Sequence, residues 1–435
     1  MEKLNVCLLN DSFPPAIDGV ANTTFNYAKI INEDLGNATV VTPSYPNVID
    51  DYDFNVYRYK SYDTTKIVGY RAGNPFGMKL IGDLSKENID IIHSHCPVSS
   101  TFLARYLRDT IKKPIIMTYH TKFDYDIKKA INNKLIQEAA IKVLISNISA
   151  VDEVWAVSKG AGENLKSLGY KGDYFVMHNG VDFSKGKIEQ SIQNEVAKEY
   201  GICQDKSKPV FLFVGRMMWY KGIKIILDAL EQVNKKKIDF QMIFVGKGAD
   251  LIDIKEYSKE CEIFNKCIFT GAVTDRSKLK ALFSLSDLFL FPSVYDTNGI
   301  VVREAAATGL ASVLIKDSCA AEDTIDGRNC FWINEDYNDL AKLLIANKDN
   351  INYYHQIGQY AQDDLYISWQ DAVKIAYERY HEVIKEKQND LNINHFDLTE
   401  NMINIYSSLT VGINKARDIY ENIIDRYEQY DKEDM

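Results

Sequence analysis

Short runs of Val, Ile, Leu and Phe alternate with helical segments in both halves of the chain, and this alternation limits the fold more than any single motif. Nearly continuous apolar runs are what strands buried on both faces look like, and their alternation with helices is the signature of parallel sheets joined by crossover helices. In the first half the expected strands are LNVCLLN, ATVVTP, FNVYRY, IDIIHSH, PIIMTYH, EVWAVS and DYFVMH; in the second they are KPVFLFVG, FQMIFVG, CIFTGA, DLFLFPS and ASVLIK. A chain of 435 residues exceeds one ordinary core. The pattern therefore predicts an α/β protein of two doubly wound domains in tandem, residues 1–187 and 188–370. The boundary falls in the polar stretch that follows HNGVDF. The segment SWQDAVKIAYERYHEVIKEKQ predicts a long helix closing the pair over 371–390, with a helical extension over 391–435.

Composition narrows the setting. With 46% hydrophobic and 26% charged residues the chain reads as globular. Its apolar-rich stretch AAIKVLISNISAV is broken by Lys142, Ser146 and Asn147 and falls short of the roughly 20 residues a membrane span needs. The start MEKLNVCLLNDS lacks a basic region followed by an apolar run, so no secretory signal and a cytoplasmic location are expected. The seven cysteines have no CxxC spacing, which predicts free thiols and no zinc site. A net charge of -10 argues against nucleic acid as a partner. Residues 1–187 are near neutral and the acidic excess lies beyond them, so only the first half suits an anionic surface.

The densest chemistry is in FPSVYDTNGIVVREAAATG, residues 291–309. A buried strand runs into a loop carrying Asp296, Asn298 and Gly299; a helix opens at Ile300 and carries Glu304 in its second turn. In open α/β sheets ligands sit outside the carboxyl ends of strands, where the first N–H groups of the next helix receive an anion. Two acids and a helix start are thus expected at one pocket. After the strand KPVFLFVG, RMMWYKG places Arg216 on a loop and Lys221 at the start of the next helix. Two cations beside a helix N-terminus suit a diphosphate.

In the first half, Gly19 stands in a turn between the first strand and a helix, where a missing side chain lets backbone approach a ligand. His120 ends a buried strand, a position from which a histidine can hydrogen-bond or move protons near neutral pH. His93 and His95 are expected on alternate faces of a strand end, hence not in one metal site, and no metal is predicted. The pairs Asp51/Asp53 and Asp124/Asp126 read as surface acids. The Gly246–Lys247–Gly248 loop lacks the full dinucleotide fingerprint.

Taken together, DGV at 18–20, IIHSH, TYHT, VDEVWAVSKGAGENLKSLG, HNGVD, VGRMMWYKG, FVGKG, FTGAV and the acid pair ending in EAAATG make residues 4–385 resemble the retaining nucleotide-sugar glycosyltransferases of family 4, which have the GT-B architecture of two facing Rossmann-like domains. The resemblance implies that Arg216 and Lys221 hold the donor diphosphate and that Glu304 holds the ribose hydroxyls. Asn298, Gly299 and Ile300 would meet the donor sugar or phosphate, Gly246, Lys247, Ala272 and Val273 would frame the base, His120 would touch the sugar, and Gly19 would pass the phosphates. The implied donor is a UDP-sugar, with no further cofactor and no metal. The family's first acid is usually Glu; Asp296 is one methylene shorter, a reach smaller by about 1.5 Å.

TYHTKFDYDI followed by a Lys-bearing segment resembles the branch that glucosylates membrane lipids such as diacylglycerol, so a membrane contact through residues 122–145 is implied. There Ile131, Leu135, Ile136, Ala139 and Val143 mark one helical face among Lys128, Lys129, Lys134 and Lys142. The alternatives are a core helix, a glycan acceptor, and an interaction subunit that has lost catalysis. In the tail, Met402, Tyr406, Leu409, Ile413, Ala416, Tyr420, Ile423 and Tyr427 form a heptad seam, read as a helix docking on the body or as self-association through 397–430.

Overall fold

The computed structural model describes residues 2–16, 18–64, 71–75, 78–121, 123, 127, 133–204, 208–294, 296 and 299–388. The Asp124/Asp126 pair, Asn298 and the heptad tail lie outside these residues, as do 122, 124–126 and 128–132 of the 122–145 segment, with Lys128, Lys129 and Ile131.

Two parallel sheets carry the chain. The first runs β3 (Asn55–Tyr59), β2 (Asn37–Pro43), β1 (Asn5–Leu9), β6 (Ile91–Ser94), β7 (Ile115–Tyr119), β8 (Glu153–Ala156) and β9 (Phe175–Val176). Beside it β4 (Ser61–Tyr62) and β5 (Ala72–Gly73) form a small antiparallel ribbon. The second sheet runs β12 (Cys267–Gly271), β11 (Gln241–Val245), β10 (Val210–Val214), β13 (Leu288–Phe291), β14 (Ser312–Ile315) and β15 (Phe331–Ile333). Alternation along the strands sends side chains to both faces. Cys7, Leu9, Ile92 and Met117 enter one core, while Val6, Leu8, Ile91 and Ile116 enter another. In the second domain the helix Ile223–Lys235 buries Ile223, Ile226, Leu227, Leu230 and Val233, a single apolar stripe at helical spacing.

In each sheet the first strand has neighbours that lead away in opposite directions: β1 lies between β2 and β6, and β10 lies between β11 and β13. Such a reversal opens a crevice at the carboxyl ends of the two central strands. It fixes where side chains after β1, β6, β10 and β13 can meet.

The helix Trp369–Lys387, capped by Ser368, returns to the first domain. Its Trp369, Val373, Tyr377, Tyr380 and Val383 pack with Leu4, Val6, Leu8, Ile91 and Trp155. The Tyr377 hydroxyl accepts from Leu4 N at 2.7 Å and donates to Leu35 O at 3.0 Å. Arg379 Nε donates to Glu153 Oε1 at 3.0 Å.

Three features differ from the sequence reading. DYFVMH yields only the two-residue β9, because its flanking residues leave the sheet. The short β15, FWI, had too little apolar length to be read as a strand. The polar stretch after residue 187 holds the helix Gln190–Tyr200, whose Val196 and Ala197 are buried in the second core.

Candidate functional site

The second domain's crevice is built by two loops pressed together. After β10 the chain makes a short turn, Trp219–Lys221, and then Gly222 adopts φ +78°, a conformation that favours glycine. A Cβ there would lie 1.9 Å from the carbonyl oxygen of Pro292, in the loop after β13. This close approach brings Lys221 to the second loop, where its Nζ donates to Asp296 Oδ2 at 2.8 Å. Ser293 Oγ donates to the same oxygen at 2.7 Å. Lys221 is buried, whereas Arg216 is exposed at the mouth, and both cations stand over the Tyr220 ring, at 5.6 and 5.7 Å.

Glu304 belongs to a different network. The helix Ile300–Ala307 starts at Gly299, and no side chain among the described residues caps it. Its second turn buries Glu304, whose Oε1 accepts from Arg276 Nη2 at 2.5 Å; Asp182 Oδ2 stands 3.5 Å from that nitrogen. Burial pushes the Glu304 carboxyl above its ordinary value, opposed by the Arg276 guanidinium. The two predicted acids thus have separate partners, Lys221 and Ser293 for Asp296 and Arg276 for Glu304. The loop after β11 leans on the loop after β10, with Met217 N donating to Lys247 O at 3.0 Å, and on the end of β12, with Gly246 N donating to Gly271 O at 2.9 Å. Lys247 and Ala272 are exposed, while Gly246, Val273 and Ile300 are half-buried.

In the first domain Gly19 opens the helix Gly19–Ile30 itself, rather than standing in a turn before it. Asp18 caps that helix, accepting from Val20 N and Ala21 N at 2.9 and 2.8 Å, and the space where a Gly19 side chain would go is open. After β1, Asp11 is buried and accepts from Ser100 N and Oγ, at 2.8 and 2.6 Å, tying this loop to the start of the helix Ser99–Ile111. His120, 7% exposed at the end of β7, shares a 3.0 Å hydrogen bond through Nε2 with Nδ1 of His95. Burial lowers its pKa to about 3, and burial also holds His93 and His95 well below the usual histidine range.

The alternate-face reading of His93 and His95 is corrected here. Residues two apart on a strand share a face, and the two ring centroids stand 4.1 Å apart. His93 uses both its nitrogens on protein partners, Tyr380 Oη at 2.6 Å and Thr118 Oγ1 at 2.7 Å. Among the described residues no group of three His, Cys, Asp or Glu is arranged to hold a metal ion.

Where the domains meet, Glu322 of the second receives the N–H groups of Lys159, at 2.6 Å, and of Gly160 at the start of the helix Lys159–Ser167. Asp323 contacts His178 Nε2 at 3.2 Å and Arg303 Nη2 at 3.0 Å. Glu322, Asp323, His178, Arg303 and Gly299 line one narrow cleft. Sequence reasoning missed Arg276, Ser293, His95 and Glu322. Arg276 alone had a signal, as a cation just past the carboxyl end of β12.

The model described as Glycosyltransferase Family 4 matches residues 17–185, and that described as Glycosyl transferases group 1 matches residues 201–364. Alpha-monoglucosyldiacylglycerol synthase of Streptococcus pneumoniae is 26% identical over 311 residues, 70% of either chain. The protein of the same name from Acholeplasma laidlawii is 22% identical, over 80% of this chain and 89% of its own. Among solved structures, Anabaena Alr3699/HepE in complex with UDP superposes with a TM-score of 0.68 at 17% identity, over 88% of this chain and 100% of its own.

Proposed function

The chain belongs to glycosyltransferase family 4, with the GT-B fold, and from that premise we propose that it moves a hexose, glucose above others, from a UDP-sugar to a membrane lipid such as diacylglycerol with retention at the anomeric carbon. The observation that carries the reading is the buried Lys221 at the crevice of β10 and β13, with Arg216 at its mouth. When a nucleoside diphosphate leaves a sugar, negative charge grows on its oxygens while the sugar becomes cationic. Lys221, Arg216 and the start of the helix at Gly299 and Ile300 neutralise that charge without a divalent cation. Glu304, oriented by Arg276, takes the ribose hydroxyls; Asn298 meets the sugar or phosphate, and Gly246, Lys247, Ala272 and Val273 frame the base. Gly19 passes the phosphates and His120 meets the sugar. The acceptor attacks from the face the diphosphate leaves, and the departing phosphate takes the acceptor's proton. Asp296 is not assigned as a covalent nucleophile, because a double displacement requires an acid on the far face at bonding distance.

The lipid acceptor is supported by the names of the two synthases above and by one exposed surface. In the helix Lys134–Ser149, Leu135 is 76% exposed and Ile136 is 47% exposed, with Lys134 and Lys142 exposed nearby. The residues this helix buries are Leu144, Asn147 and Ile148, so the predicted apolar face is not its core face. An apolar strip rimmed by lysines suits attachment to an anionic bilayer surface. No described helix is long and apolar enough to cross a membrane, and we place the protein at the inner face as a peripheral enzyme.

The test is incubation of the purified protein with labelled UDP-, GDP- and ADP-hexoses, with and without EDTA, on anionic vesicles with and without diacylglycerol. Transfer to diacylglycerol from UDP-glucose in EDTA is expected. Transfer only to a glycan acceptor would replace the lipid reading, and no donor turnover under any condition would refute an active enzyme.

A further inference from the structure

His120 is one end of a buried histidine row whose other members the proposed reaction does not use. His95 is 2% exposed and spends its Nδ1 on His120 Nε2 at 3.0 Å, while its own Nε2 is sealed from solvent with no hydrogen-bond partner among the described residues. Tyr27 packs edge-on against His95 at 5.3 Å, and His93 lies tilted against it at 4.1 Å. Among the described residues His120 Nδ1 has no hydrogen-bond partner and, unlike His95 Nε2, is not sealed off.

A neutral imidazole carries one N–H and one bare nitrogen, so the bond between the two rings can be made in only two ways. If His120 donated from Nε2, His95 would have to carry its proton on Nε2, a buried N–H with no acceptor. If His95 donates from Nδ1, its Nε2 is instead a bare lone pair. Orphaned buried N–H groups are rarer in native structures than under-satisfied acceptors, so the second arrangement is favoured. Its consequence passes to the next ring: His120, accepting at Nε2, must carry its proton on Nδ1.

We infer that His95 is a positioning residue that fixes the tautomer of His120, so that His120 presents an Nδ1–H donor, and not a basic nitrogen, to an oxygen of the donor sugar. This rests on the reading that His120 meets that sugar. A fixed donor favours sugars with an oxygen at that place and excludes His120 as general base, which agrees with proton transfer to the departing phosphate.

The first test needs no variant. In histidine-¹⁵N-labelled protein, long-range ¹H–¹⁵N correlation spectra distinguish the two ring tautomers, and both His95 and His120 are expected to be protonated on Nδ1. A His120 protonated on Nε2 overturns the proposal. The second test is kinetic. His95→Phe leaves His120 without its partner and should lower kcat about 10–100-fold, by analogy with losing the outer partner that orients a metal-bound histidine, with the donor KM little changed. His95→Asn, whose amide N–H falls near the place of Nδ1–H, should restore most of it. Wild-type turnover in a folded His95→Phe protein would overturn the positioning role. Unchanged turnover in His120→Ala would instead show that His120 does not meet the sugar, a failure the tautomer spectra separate from the first.

Discussion

Lys221 and Asp296 neutralise one another across 2.8 Å, so a change at either acts on both. Lys221→Met keeps an unbranched apolar stem and removes the cation proposed to receive the diphosphate. A fall in kcat/KM of about 100-fold or more is expected, the size seen when one preorganised stabilising group is lost. Its thermal unfolding should stay close to wild type, and unchanged turnover would remove Lys221 from the mechanism. Glu304 makes the opposite trade. Its carboxyl is raised by burial, so the folded chain holds that proton more tightly than the unfolded chain does. Such a group favours folding while protonated, and that advantage is lost as pH rises through the carboxylate range. Glu304→Gln should therefore gain stability relative to wild type between acid and neutral pH while losing donor affinity. Denaturant titrations at both pH values check the first, and donor binding checks the second.

At the scale of elements, the parallel strands were legible because continuous apolar runs bounded by turns leave little choice of structure, and the crevices followed from strand ends. What was not legible lay across the chain. Arg276 meets Glu304 from another helix, and Tyr380 reaches His93 from 287 residues away, pairings that no local pattern encodes. The alternate-face error at His93 and His95 was one of register, since a separation of two repeats a face. The histidine row also makes β6 and β7 a pH-sensitive element. His93, His95 and His120 are depressed by burial, and the groups facing them, Tyr27 and Tyr380, are raised by burial and stay neutral. Bases held neutral contribute stability that is present above the unfolded pKa of about 6.5 and is lost as pH falls below it, at most about 1.4 kcal/mol per pH unit for each ring. Denaturant midpoints should therefore fall from pH 7.5 to 5.5, and a folded His95→Phe protein should show a shallower dependence. Tyr380→Phe removes a hydroxyl but keeps the stack on Trp155, with centroids 5.6 Å apart; a loss of about 1 kcal/mol is expected, plus the cost of a stranded His93 nitrogen.

At the scale of the molecule, the two domains are joined by chain crossings near Val181 and Ser368, which pair as a single bridge, and by a separate contact at the cleft. The cleft contact is the part of this junction that substitutions can remove while the crossings stay intact. That contact is polar. Glu322 meets the N-terminus of the helix Lys159–Ser167, where oriented N–H groups favour an anion, and Asp323 meets His178 and Arg303. His178, with Arg303 adding to it, holds the Asp323 carboxyl below its ordinary value, so this pair contributes stability above the carboxylate range and loses it as pH falls through that range. A buried apolar interface would hold the domains regardless of pH; a few charged hydrogen bonds permit them to part. Glu322→Ala combined with His178→Ala should leave both cores intact, since neither residue belongs to one. The variant should show a larger radius of gyration in small-angle scattering at neutral pH, and its calorimetric transition should broaden or split as the domains uncouple. A donor that touches both domains would then have to close them on binding, so the variant's donor affinity should fall, while UDP, which we propose the second domain holds, should bind as before. A scattering profile and donor affinity identical to wild type would show that the crossings alone set the arrangement.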